Sequence, residues 1–129
     1  MKKPIPYGRQ YIDKADIREV SIALSKDKIT SGETTLKFEK KINEFLNCKY
    51  SITCNSGTSA IFIALHALNI KKGDKIIMPS INFISSYSVA KFLGAKVYLT
   101  DVDKFTGQMR PEDVENCCKK FGIKNFNVL

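Results

Sequence analysis

Tryptophan is absent from the 129 residues, and histidine occurs once, as His66. The four cysteines, Cys48, Cys54, Cys117 and Cys118, contain no Cys-x-x-Cys pair. With one imidazole and no paired thiols, a zinc site is not expected. Arginine is scarce as well: only Arg9, Arg18 and Arg110 accompany the lysines that carry the net charge to +8. Those lysines are scattered along the chain, with neither the arginine forks nor the interleaved aromatics of a nucleic-acid surface, so nucleic acid is not expected as a partner. A diffuse basic field would suit an anionic small molecule. No long hydrophobic run exists; the longest, 60–65, is far too short to span a bilayer, and the Met-Lys-Lys-Pro start lacks a signal-peptide core. No membrane partner is expected, and the unpaired cysteines fit a reducing, cytoplasmic setting.

The pattern that is present is helical first, then alternating. Ile17, Val20 and Leu24 repeat at helical spacing behind Asp13, a suitable N-cap. Residues 27–32 break that pattern, and a second helix from Thr34 carries Phe38, Ile42, Phe45 and Leu46 on one stripe. From 50 onward the reading is strand 50–54, helix 58–68, strand 75–78, helix 83–93, strand 96–100, a helix opened by Pro111 and stopped by Gly122, and a strand over 125–129. The helix over 58–68 is apolar nearly all round and reads as buried, with His66 as a packed core residue. This alternation predicts an α/β fold, a parallel-type sheet with flanking helices, preceded by a helical segment over 1–49 and carried by 50–129. A closing apolar strand with no helix after it reads as a truncated unit.

One stretch points to chemistry: Asn55-Ser56-Gly57-Thr58-Ser59-Ala60, between a strand and a helix. A turn there aims backbone N–H groups and the positive helix end at one point, which suits a phosphate. Gly57 allows close approach, and the hydroxyls of Ser56, Thr58 and Ser59 can donate. The same residues also make a good plain N-cap, and both readings stay open. Other phosphate loops are excluded, because no Gly-x-Gly-x-x-Gly exists and no glycine precedes a lysine. Asp101 and Asp103, at a strand's carboxyl end, are open to a metal or acid/base reading and to that of a structural acidic turn.

Order and spacing carry a further signal. Tyr7-Gly8-Arg9-Gln10, Ile29-Thr30-Ser31-Gly32, Phe38-Glu39, the 55–60 stretch, Gly73-Asp74, 79–83, Gly94-Ala95-Lys96, Asp101-Val102-Asp103 and Thr106-Gly107 follow one another. In that order they resemble the sugar aminotransferases of the DegT/DnrJ/StrS family, over essentially the whole chain. The resemblance implies the start of the large domain of a fold-type-I transferase dependent on pyridoxal 5'-phosphate. It implies that Gly57, Thr58 and Ser59 grip the cofactor phosphate, and that Phe83 stacks on the pyridine ring; an ordinary core aromatic is the other reading of Phe83. It implies that Tyr7, Thr30, Ser31 and Gly32 line a nucleotide-sugar site, although a surface strand and a plain turn would look the same. The substrates would be a nucleotide-linked keto sugar and an amino donor such as glutamate, and the full-length enzyme a homodimer. The family's cofactor-binding lysine and its pyridine-facing aspartate fall beyond residue 129, so no catalytic residue is assigned here and the chain alone is expected to be inactive. A dehydratase or regulatory relative, and a phosphate-binding module without chemistry, stay open beside this reading.

Overall fold

Local capping explains where the helices begin and end. In this computed structural model, which describes residues 4–6 and 8–129, α1 spans Lys14–Leu24 behind Asp13. The Asp13 carboxylate accepts from Ala15 N–H (2.7 Å) and Asp16 N–H (3.0 Å), while Asp16 accepts from Asp13 N–H (3.0 Å). That reciprocal box satisfies N–H groups that the first helical turn leaves unpaired. Helix α2 spans Glu33–Leu46, starts after Gly32 and ends at Asn47, which adopts the left-handed conformation (φ 49°) that asparagine tolerates. The residues through Thr53 form one compact unit and Cys54–Leu129 form another.

The second unit holds α3 (Gly57–Ala67), β1 (Lys75–Pro79), α4 (Ile84–Phe92), β2 (Lys96–Thr100) and α5 (Pro111–Phe121). Strands β1 and β2 pair in parallel, with Lys75 opposite Lys96 and Pro79 opposite Thr100. Gly94, at φ +83° in the turn before β2, is required twice over: a Cβ there would lie 3.0 Å from Lys72 Cα. Side-chain alternation along β1 divides the core between the two sheet faces. Ile76 and Met78 pack with Leu65, Ile70, Val89, Ala90 and Ala95 on the α3/α4 side. Ile77, fully buried, packs with Cys117 and Ile123 on the α5 side. Helices cover a parallel ladder on both faces, which is the α/β architecture that the alternation predicts.

Several local expectations are corrected. Residues 50–54 form no strand; Thr53 N–H and Oγ1–H donate to Glu39 Oε1 (2.8 and 2.9 Å), and Ser51 Oγ donates to the Glu39 carbonyl (2.9 Å). A side chain thus takes a donor that a strand would give to a ladder. Residues 125–129 make a single parallel bridge, Val128 to Ile76, because the Asn127 side chain, not a backbone carbonyl, accepts Lys75 N–H (2.9 Å). Helix α3 is not a buried helix here: Leu65 is its one buried residue among the described residues. His66 is exposed and stacks on Phe62 with the ring centroids 5.8 Å apart. An all-round apolar pattern shows what a helix can bury, and only the α3 face turned to β1 and α4 is covered in this unit.

Candidate functional site

Ser56 sets the geometry of the turn that opens α3. Its backbone is extended (φ −161°, ψ 160°), its Oγ accepts from Ser59 N–H (3.2 Å), and its carbonyl accepts from Ala60 N–H (3.0 Å). Ser59 Oγ donates to Asn55 Oδ1 (2.7 Å) and takes a hydrogen bond from Ser56 Oγ (3.1 Å). Both Ser59 donors are therefore engaged inside the turn. The N–H groups of Gly57 and Thr58 have no partner among the described residues. Gly57 is not held at positive φ, and a Cβ there would meet nothing within 4 Å. Neither backbone strain nor packing within the chain calls for glycine at that position.

The remaining residues singled out by sequence fall in different places. Phe83 is the N-cap residue of α4, 70% exposed, and its N–H donates to Asn82 Oδ1 (2.7 Å). It lines a cavity of about 270 Å³ beyond the carboxyl end of β1, with Met78, Pro79, Tyr87 and Leu99. Within this unit it is not a core residue. Thr58 and Ser59 instead border a groove of about 590 Å³ between α3 and α4, floored by Phe62, Val89 and Phe92. No residue lines both spaces. In the first unit, Ser31 and Gly32 line a hollow of about 120 Å³ with Lys28 and Thr35, and Thr30 is exposed beside it. Tyr7 lies outside the described residues.

Sequence reading passed over Asn55 as a partner for Ser59, and over the pairing of Glu39 with Thr53. The first carried a faint signal, a serine three residues after a capping serine. The second carried none, since Glu39 and Thr53 are fourteen residues apart. The Thr53 backbone and hydroxyl donors hold the Glu39 carboxyl below the usual carboxylate range. In the 101–110 connection, hydrogen bonds from Thr106 lower Asp103, and the Arg110 guanidinium lowers Asp113. Asp103 Oδ1 accepts from Phe105 N–H (3.0 Å), Thr106 N–H (2.9 Å) and Thr106 Oγ1–H (3.0 Å), so this acidic turn is occupied with its own structure. No group of three or more His, Cys, Asp or Glu placed to hold a metal ion occurs among the described residues, and none of their helices is long and apolar enough to cross a membrane.

Free N–H donors at a helix start are shared by many folds, and the order of motifs around them is more selective. The family model of the DegT/DnrJ/EryC1/StrS aminotransferases matches residues 10–122. The chain belongs to that family. Among its relatives, the spore coat polysaccharide biosynthesis protein SpsC of Bacillus subtilis is 32% identical over 111 residues, covering 86% of this chain and 28% of SpsC. GDP-perosamine synthase of Escherichia coli O157:H7 is 37% identical over 86 residues, covering 67% of this chain and 24% of the synthase. Among solved structures, the PLP form of Spr1654 from Streptococcus pneumoniae superposes with a TM-score of 0.80 at 28% identity, covering 88% of this chain and 29% of that one. The chain thus spans less than a third of the length of these family members.

Proposed function

We propose that the chain is the N-terminal part of the cofactor-binding large domain of a pyridoxal-phosphate-dependent sugar aminotransferase. The enzyme would move an amino group, with glutamate as donor, onto the keto group of a nucleotide-linked sugar for surface-polysaccharide or amino-sugar synthesis. Family membership supports the reaction class, as do the names of SpsC and GDP-perosamine synthase. The observation that carries the cofactor reading is the pair of N–H groups on Gly57 and Thr58 that have no partner among the described residues, beside a glycine that packing among those residues does not require.

When bound, the cofactor supplies an aldehyde to carry the amine and a ring to delocalise the electrons released at carbon. The residues of this chain would bind and orient it. Gly57 and Thr58 donate backbone N–H groups to the phosphate at the positive end of α3, and Ser59 holds the turn in shape for them. Phe83 offers an exposed aromatic face to the pyridine ring. Thr30, Ser31, Gly32 and Tyr7 are assigned to nucleotide-sugar binding by the family resemblance alone. The full-length enzyme is a cytoplasmic homodimer in this reading, and the 129-residue chain alone shows no glutamate-dependent amination.

Titration of the chain with pyridoxal phosphate tests the reading. Gly57→Val should leave the thermal transition nearly unchanged, since a Cβ there meets open space, yet weaken binding more than tenfold by blocking close approach. Thr58→Ala keeps the backbone N–H and removes a hydroxyl that can also donate to the phosphate, and should cost about 1.5–3 kcal/mol of binding, the range for losing a hydrogen bond to a charged group. Lys124→Ala, on the exposed surface, is the control. Equal affinity of Gly57→Val and the control would place the phosphate elsewhere.

A further inference from the structure

Glu39 makes a set of contacts that helix packing does not explain. It lies on α2, yet its side-chain Oε1 takes both donors of Thr53 and its carbonyl takes the Ser51 hydroxyl. All three bonds are part-buried, in a unit where neither α1 nor α2 has a buried residue. Thr53 is the last residue of that unit, two positions before Asn55. Such a fixed point shortens the free chain leading into the 55–60 turn and so reduces the conformations that the turn must give up when it orders.

We infer that Glu39 is a positioning residue for the 55–60 turn, acting through the peptide and hydroxyl of Thr53. The inference rests on the phosphate reading of that turn. Its chemistry is that of a carboxylate accepting two hydrogen bonds at one oxygen, which are stronger than neutral ones and therefore restrict the backbone more. The lowered proton affinity of Glu39, caused by the same two donors, agrees with a carboxylate ionised at neutral pH.

Amide hydrogen exchange on the chain reads the tie directly. Thr53 N–H bonds to Glu39, and the Ser59 and Ala60 N–H groups bond within the turn. Glu39→Ala should speed exchange more than tenfold at Thr53 and at least threefold at Ser59 and Ala60, with the α5 amides unchanged. Glu39→Gln keeps an acceptor oxygen and should recover most of the protection. Thr53→Val, which retains the N–H and loses the hydroxyl, should fall between. Acceleration at Thr53 with none at Ser59 and Ala60 overturns the inference, and so does equal acceleration throughout α5. Inorganic phosphate, followed at the Gly57 and Thr58 amide resonances, separates the two claims. Wild-type resonances that ignore phosphate defeat the phosphate reading, while the exchange pattern still decides whether Glu39 orders the turn.

Discussion

The helices before Thr53 and those after it use apolar residues differently. Helices α1 and α2 carry clean stripes, with Ile17, Val20, Leu24, Phe38 and Phe45 at helical spacing, and each of these five is more than half exposed. Helices α3 and α4 are less regularly striped, and α5 is striped as cleanly as α2, yet all three contribute buried residues: Leu65 from α3, Val89 and Ala90 from α4, and Cys117 from α5. The difference lies in the parallel ladder. Strand β1 presents Ile76 and Met78 to one side and Ile77 to the other, and a helix on each side has something to close against. An amphipathic stripe specifies a face; burial needs a second surface.

That contrast can be broken most forcefully at its centre. Ile77→Ala should destabilise the chain by about 2–5 kcal/mol, the range for emptying a well-packed aliphatic site. Phe38→Ala, on an exposed stripe, should change stability by less than about 1 kcal/mol in the same urea titration. Comparable losses for the two would mean that the α2 stripe is covered in solution.

The polar groups of the two units can be compared by their response to acid. Asp113 is side-chain buried to 9% exposure and receives the Arg110 guanidinium (Nε to Oδ2, 3.1 Å) together with Arg110 N–H. Its folded proton affinity is lowered, first by the Arg110 side-chain hydrogen bond. The stabilisation is therefore present above the ordinary carboxylate range and is lost as pH falls through that range and below it. Asp113→Asn should flatten the acid limb of a stability profile measured from neutral pH downward. An unchanged acid limb would show that the Arg110 contact does not distinguish the folded from the unfolded chain. The smallest effect belongs to the first unit, at the solvent-exposed pair Lys37–Glu33 (2.6 Å). Lys37→Ala should shift stability by less than about 0.5 kcal/mol, and added salt should erase the difference.

Much of this fold was legible in advance where the signal is local. Asp13, Pro111, Gly94 and Gly122 mark helix ends through their own backbone preferences and hydrogen bonds, and the structure places ends beside each of them. Residues 50–54 and 125–129 look β-competent by composition, but strand formation depends on which donor reaches which acceptor, and Glu39 and Asn127 intervene from elsewhere in the chain. The 55–60 turn was legible as a capped helix start for the same local reason as the other caps, and the structure adds which groups pair: Ser56 Oγ accepts from Ser59 N–H. Phe83 could be picked out as an aromatic at a helix start, but nothing in the sequence tells a core ring from one 70% exposed over a cavity. Glu39 stood out only within the Phe38-Glu39 piece of the family resemblance, and its contact was not legible because Thr53 is far along the chain.

The carboxamide of Asn127 sets how residues 126–128 register against β1. Its oxygen occupies the acceptor position facing Lys75 N–H, while Asn127 N–H donates to the Lys75 carbonyl (2.8 Å) and Ile77 N–H reaches the Val128 carbonyl (3.0 Å). Sliding the segment by one residue would turn Val128 away from the α3/α4 face it now packs against, and sliding it by two would bring a different side chain to Lys75. Asn127 thus works as an index pin: it holds this segment at a single notch along β1, where one bridge alone would leave the alignment loosely fixed.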